Sequence, residues 1–255
     1  MGGSGLNVDR GEVLKALKPI IKRKGLRRRP LEDIVSQTGV LMPYDVISFR
    51  YLLGDGTSGM GRTAINLFFA SSLEEPSEGI FLLKPHLARR AAWLGKEVEG
   101  FLVAEPRGRG LDVLGPLLEL RDRLLGPAKR MGEALARARK SGWITRTLLL
   151  WTFPSVREVE RKYADEHARM TAFLSEMNVR LGLESYEDLL SLDILGQEGP
   201  FYAPSLVVQL EGPDGSRRHV LLDLSGDRPE LDLDLTYLCT KPAARGALEA
   251  LLGPS

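Results

Sequence analysis

The densest candidate chemistry lies between Val46 and Ala70, VISFRYLLGDGTSGMGRTAINLFFA. Within it, Gly56, Thr57, Ser58, Gly59, Met60, Gly61, Arg62 and Thr63 fit G-x-x-x-x-G-K-[ST] at every fixed position but one: Arg62 stands where a phosphate-binding loop has Lys. Such a loop, set between a strand and a helix, turns its backbone N–H groups onto a phosphate at the helix N-terminus. Gly56, Gly59 and Gly61 would let the backbone close around the anion. The Thr63 hydroxyl would ligate the Mg²⁺ of a bound ATP. Arg62 keeps the charge, but its planar fork is bulkier than an ammonium. The stretch therefore predicts phosphate binding more readily than γ-phosphate chemistry, and a ligand-free glycine-rich turn is the plain alternative.

Other residues offer less. Lys22, Arg23, Lys24, Arg27, Arg28 and Arg29 form a basic run, and Arg217-Arg218 a second basic spot. They suit either a nucleic-acid backbone or a solvated helix end. His86, His167 and His219 show no metal-ligand spacing, and His86, at a predicted strand end, is the one to test. His219 with Asp223, and Asp232 with Asp234, share strand faces that solvent explains. No G-x-S-x-G elbow and no acidic-strand lysine of a PD-(D/E)xK nuclease is present. Cys239 is the single cysteine, which excludes an internal disulfide and a Cys-rich zinc site and points to a core thiol in a reducing cytoplasm.

The bulk numbers narrow the partners. With 35 basic and 34 acidic residues among 255, the chain has no overall sign bias toward nucleic acid or membrane. No apolar run reaches the ~18 residues that a bilayer span needs. MGGSG at residues 1–5 reads as a cloning scar.

The elements that must position the motif follow from patterning. Asp9 to Gly25 reads as a helix with capping-box spacing, and Pro30 opens a short second one ending near Gly39. Val46–Leu53 reads as a strand, Thr63–Ser72 as a buried helix, and GIFLL (79–83) and FLVA (101–104) as buried parallel strands. Leu111–Lys140 is helical, with breaks expected at Pro116 and Pro127. ITRTLLLWT (144–152) reads as a central strand, Pro154–Arg180 as a long helix, and Ser185 to Leu192 as a short one. Ser205–Glu211 and Arg218–Leu224 flank a GPDGS turn and form a hairpin. Leu231–Cys239 alternates as a strand, and Pro242–Leu252 closes the chain as a helix. The fold expected is α/β: a mostly parallel central sheet flanked by helices, with a C-terminal antiparallel β-hairpin extension.

This order resembles the RecA superfamily, nearest its KaiC- and RadA-like branch. TGVLMP (38–43) resembles the lead-in, GIFLLKPHLARRAAWLGKEVEGFLVAEP the second strand, helix and next strand, and SLVVQLEGPDGSRRHVLLDLSGDRP the closing segment. The resemblance implies a RecA-like P-loop domain over 38–255 behind a helical appendage at 1–37. It also implies ATP with Mg²⁺ as cofactor, and a homo-oligomer or a hetero-oligomer with a RecA-like paralogue. The departures fall on catalysis: Lys84-Pro85-His86 replaces the catalytic Glu, and Trp151-Thr152 follows LLL where the Walker B Asp belongs. Glu105 is the single carboxylate placed to compensate. The expectation is thus a catalytically degenerate RecA-like regulatory or assembly subunit, with DNA as a possible partner. An active ATPase, or a nucleic-acid-binding module built on the basic run, are the alternatives.

Overall fold

The computed structural model describes residues 8–20, 23–24, 29–30, 32–88, 99–140, 156–183 and 189–253. In chain order the elements are α1 (Arg10–Ala16), β1 (Arg23–Lys24), β2 (Arg29–Pro30), β3 (Asp33–Leu53), β4 (Ser58–Asn66), β5 (Leu83–Lys84), α2 (Pro85–Ala88), β6 (Leu102–Val103), α3 (Gly110–Lys140), α4 (Val156–Leu181), β7 (Leu189–Glu211), β8 (Arg217–Asp223), β9 (Glu230–Asp234) and α5 (Pro242–Leu252). Short 3₁₀ turns lie at Ala70–Ser72, Pro76–Leu82 and Leu238–Thr240.

The parallel RecA-like sheet is not what this chain forms. One curled sheet runs β5-β4-β3-β7-β8-β9, and every pairing along that path is antiparallel. A single parallel contact exists among the described residues, the two-residue β6 against Val40 and Leu41 of β3. The long strands β3 and β7 form the spine, paired from Asp33↔Glu211 to Leu53↔Leu189.

Each misread element has a local cause. The segment from Asp33 is the start of β3, not a helix; a bulge at Val35, between Ile34 and Ser36, interrupts the period-2 alternation that would have betrayed a strand. Thr63–Asn66 is the end of β4, not a helix, because Thr63, Ala64, Ile65 and Asn66 are all buried. A strand buried on both faces shows a continuous apolar run, which periodicity cannot separate from a buried helix. GIFLL belongs mostly to the 3₁₀ turn Pro76–Leu82, and FLVA contributes only β6. The predicted short helix through Leu192 gives way to β7 from Leu189, its earlier part lying outside the described residues, as does ITRTLLLWT. α3 runs unbroken through Pro116 and Pro127. Its buried Val113, Leu114, Leu117, Ala128 and Leu135 offset the lost hydrogen bonds. The hairpin β7–β8, α4 and α5 are where the pattern placed them.

Two cores flank the sheet. The larger packs Val40, Met42, Val46, Ile65, Val207 and Leu221 of the strands with Leu114 and Leu117 of α3, Met177 and Leu181 of α4, and Ala247 and Leu248 of α5. The smaller sets Val13 of α1 and Leu17, the residue just past its end, on Leu206, Val208, Leu210, Val220 and Leu222. Alternate residues of β7 and β8 thus serve opposite cores.

Candidate functional site

The Gly56–Thr63 stretch is a turn and a strand. Leu53 N–H donates to Thr57 O and Gly56 N–H to Leu53 O, closing a tight β3–β4 turn in which Gly56 has φ +85° and Thr57 N–H bonds to Asp55 Oδ1. The helix that a phosphate loop requires does not follow; strand β4 does. Gly59 and Gly61 have another reason to be glycine: on β4 they face Tyr51 and Phe49 of β3, and a Cβ at either would overlap the aromatic ring. Thr63 is fully buried, and its hydroxyl donates to the Arg180 carbonyl of α4, so it is turned into the core rather than toward a metal. Arg62 lies on the exposed face, 3.4 Å from Glu198. Met60 is exposed and, like Ser58 and Arg62, alternates with the glycines.

Of the remaining sequence candidates, Arg217 and Arg218 line one cavity and the others lie apart. Glu105 is exposed in the loop between β6 and α3. Arg23, Lys24 and Arg29 lie on the two-stranded β1–β2 ribbon, paired Arg23↔Pro30 and Lys24↔Arg29, whereas Lys22, Arg27 and Arg28 lie outside the described residues. Arg217 is paired with Glu211 at 2.8 Å. Arg218 is held by Glu32 and Asp234, each at 2.8 Å, and by the Ile20 carbonyl, which raises its pKa through the Glu32 hydrogen bonds above all. It is a structural cation joining α1's exit to the sheet.

Two clusters come together instead, gathering residues that the sequence offered only singly: His86, Asp223 and Asp232 in the first, where both carboxylates are buried rather than solvated, and Arg217, Arg218, His219 and Cys239 in the second. The first is the seam between the sheet's outermost strands. Lys84 of β5, fully buried, meets Asp232 of β9 at 2.5 Å and donates to its backbone carbonyl at 2.8 Å. Tyr44 donates to Asp232 Oδ2 at 3.5 Å and accepts from Asn66 Nδ2 at 3.3 Å. Burial first, and then the Asp232 carboxylate, push the Tyr44 phenol well above its ordinary pKa. Beside the seam, half-exposed His86 sits 3.4 Å from the buried Asp223, whose other oxygen accepts from the Ser225 N–H and hydroxyl. The cluster ties the two ends of the curled sheet.

The second is a cavity of about 640 Å³ between the sheet and α5. Its sheet wall is a polar row across three strands, Ser36 of β3, Gln209 of β7 and His219 of β8, in register through Ser36↔Gln209↔His219. Ser36 Oγ donates to Gln209 Oε1 at 3.3 Å. These residues share the face of Val207 and Leu221, so the row begins where the larger core ends. Cys239, Thr240, Arg245, Leu248 and Glu249 supply the opposite wall. Burial pushes the His219 imidazole down, with Glu249 opposing, and burial pushes the Cys239 thiol up, with Arg245 opposing. Both groups are therefore neutral at neutral pH, and no imidazolium–thiolate pair is poised for nucleophilic attack. Arg245 donates Nε to the Cys239 carbonyl at 3.0 Å and has no carboxylate partner among the described residues. The signal for this site was in the hairpin itself: Gln209 and His219 occupy inward positions where Val207 and Leu221 are apolar.

Among the described residues no group of three or more His, Cys, Asp or Glu could hold a metal ion, and no helix is long and apolar enough to cross a membrane. No family model, curated protein or solved structure matches the chain.

Proposed function

We propose that the chain binds a small organic anion, noncovalently, in the cavity between the Ser36–Gln209–His219 row and α5. The observation that carries this reading is Arg245, a guanidinium at a cavity wall without a carboxylate partner among the described residues. A guanidinium presents a planar fork to a carboxylate or phosphate. The Ser, Thr and Gln side chains offer hydrogen bonds to the rest of the molecule, and Val35, Leu248 and Leu252 offer apolar contact. A volume of 640 Å³ lies in the range of small-molecule sites. The neutral Cys239 and His219 favour binding over covalent catalysis. We place this binding in a reducing cytoplasm, a reading supported by the single free cysteine.

The test is a thermal-shift panel of small carboxylates, sugar phosphates and nucleotides, ATP with Mg²⁺ among them. A ligand near 100 times its Kd stabilises by about 2.7 kcal/mol, which is a rise of several degrees in Tm for a chain this size. Val35→Trp, at an exposed bulge on the cavity rim, should abolish the shift. A panel without any shift, or a shift that survives Val35→Trp, would remove the cavity as the site.

Nucleic-acid binding is a second reading. It is supported by the β1–β2 pairing, which sets Arg23, Lys24 and Arg29 on one short ribbon. Affinity that falls steeply with salt, and is lost on neutralising Arg27 to Arg29, would favour it.

A further inference from the structure

A different surface, on the helical side of the molecule, carries an open apolar groove. α3 packs along α4. Leu120 and Leu124 of α3, four residues apart, and Met170 and Phe173 of α4, three apart, line one open groove of about 370 Å³ closed at one side by Pro76. All four are half-buried, left over after Leu117 and Leu174 have filled the core beneath. Each wall thus offers a pair of apolar side chains at helical spacing. Such a groove accepts the i, i+3, i+4, i+7 stripe of a third helix. Methionine in the floor lets it adjust to an incoming side chain.

The rim sets the sign of the partner. Arg123 of α3 and Arg169 of α4, both exposed, flank this floor, and neither has a carboxylate partner among the described residues. Arg169 donates Nε only to the Asp165 carbonyl, its own preceding turn. The one acid lining the groove, Glu75, is turned to its own chain, where it accepts from Ser77 Oγ, so the two guanidiniums outnumber it at the rim. We propose that this groove docks an amphipathic helix of a partner protein whose apolar stripe is flanked by carboxylates. The carboxylates would meet Arg123 and Arg169 while the stripe covers Leu120, Leu124, Met170 and Phe173.

The experiment uses the full chain and three labelled synthetic helices, read by fluorescence anisotropy. One carries a Leu stripe with Glu flanks, one the same stripe with Lys flanks, and one the Glu composition scrambled. The Glu-flanked helix should bind at least about tenfold more tightly than the other two, and Arg123→Glu with Arg169→Glu should invert the preference between flanks. Both positions are solvent-exposed, and an unchanged Tm will show that the variant folds. Three results would overturn the proposal. One is equal binding of all three peptides. Another is a Glu preference that survives the charge reversal. The third is self-association of the chain that Met170→Lys abolishes, which would give the groove to a second copy.

Discussion

Lys84 and Asp232 lie on the two outermost strands of the sheet, β5 and β9, and meet as a buried ion pair at 2.5 Å. The sheet therefore curls until its ends touch, and side chains rather than a backbone ladder join them. Breaking a buried pair by removing one partner leaves the other charge unsolvated, at about 3–5 kcal/mol. Lys84→Met should cost about that much in urea denaturation, and Lys84→Met with Asp232→Leu should recover most of it. Near-neutral behaviour of the single variant would mean that the seam does not hold the sheet.

A second lock fixes the start of α5. Lys241 and the Tyr237 hydroxyl both bond to buried Glu78, which also accepts from the Glu74 and Glu75 amides. Burial pushes the Glu78 carboxyl up, but Lys241, these amides and Tyr237 outweigh it and hold the pKa at about 2. A carboxyl depressed in the folded state stabilises fully above its unfolded pKa of about 4.3. That stabilisation is lost as pH falls through about 2. Stability should drop across this acid window, and Glu78→Gln should flatten the drop. An equally steep loss in the variant would assign the acid sensitivity elsewhere.

The glycines of β4 are steric. Gly61→Ala would drive a methyl into the fully buried Phe49 ring, and overpacking of this kind costs about 1–3 kcal/mol. Gly59→Ala meets Tyr51, which is less buried and can yield, so its loss should be smaller. Equal and negligible effects in denaturant melts would contradict the packing.

These glycines also show why the β3–β4 pair does not declare itself in the sequence. Gly59 and Gly61 are two apart, a strand period, and the same letters fit a loop motif. What separates the readings is the partner strand carrying Phe49 and Tyr51, and cross-strand pairing is not written in a local window. Antiparallel order was legible only where a turn declares it, at Gly212 to Ser216. The β3–β7 pairing joins residues more than 130 positions apart and carries four irregularities, so neither its register nor its partner could be read from alternation. The cavity suffered the same way: Ser36, Gln209, His219 and Arg245 are gathered only by that long-range sheet and by α5. The helices α3, α4 and α5 were legible because an apolar stripe at a 3.6 period is local, whereas the helix read from Asp9 to Gly25 stops at Ala16 and the short ones read near Pro30, Thr63 and Leu192 give way to strand.

Cys239 should behave as a slow thiol. Its pKa is raised by burial, so less thiolate is present at neutral pH than in a free cysteine. Iodoacetamide should label it more slowly than glutathione at pH 7, with the rate still climbing past the ordinary thiol range. Faster labelling than glutathione would reveal an activated nucleophile and reopen a catalytic reading of the cavity.

Anion binding in the cavity depends most on Arg245, and calorimetric titration of the tightest-binding anion tests this most directly. A hydrogen bond to a charged group contributes about 1.5–3 kcal/mol, so Arg245→Gln should weaken binding by about ten- to a hundredfold while leaving Tm unchanged. Affinity retained in Arg245→Gln but lost in Arg62→Ala would contradict binding in this cavity and return the ligand to the Gly56–Thr63 turn.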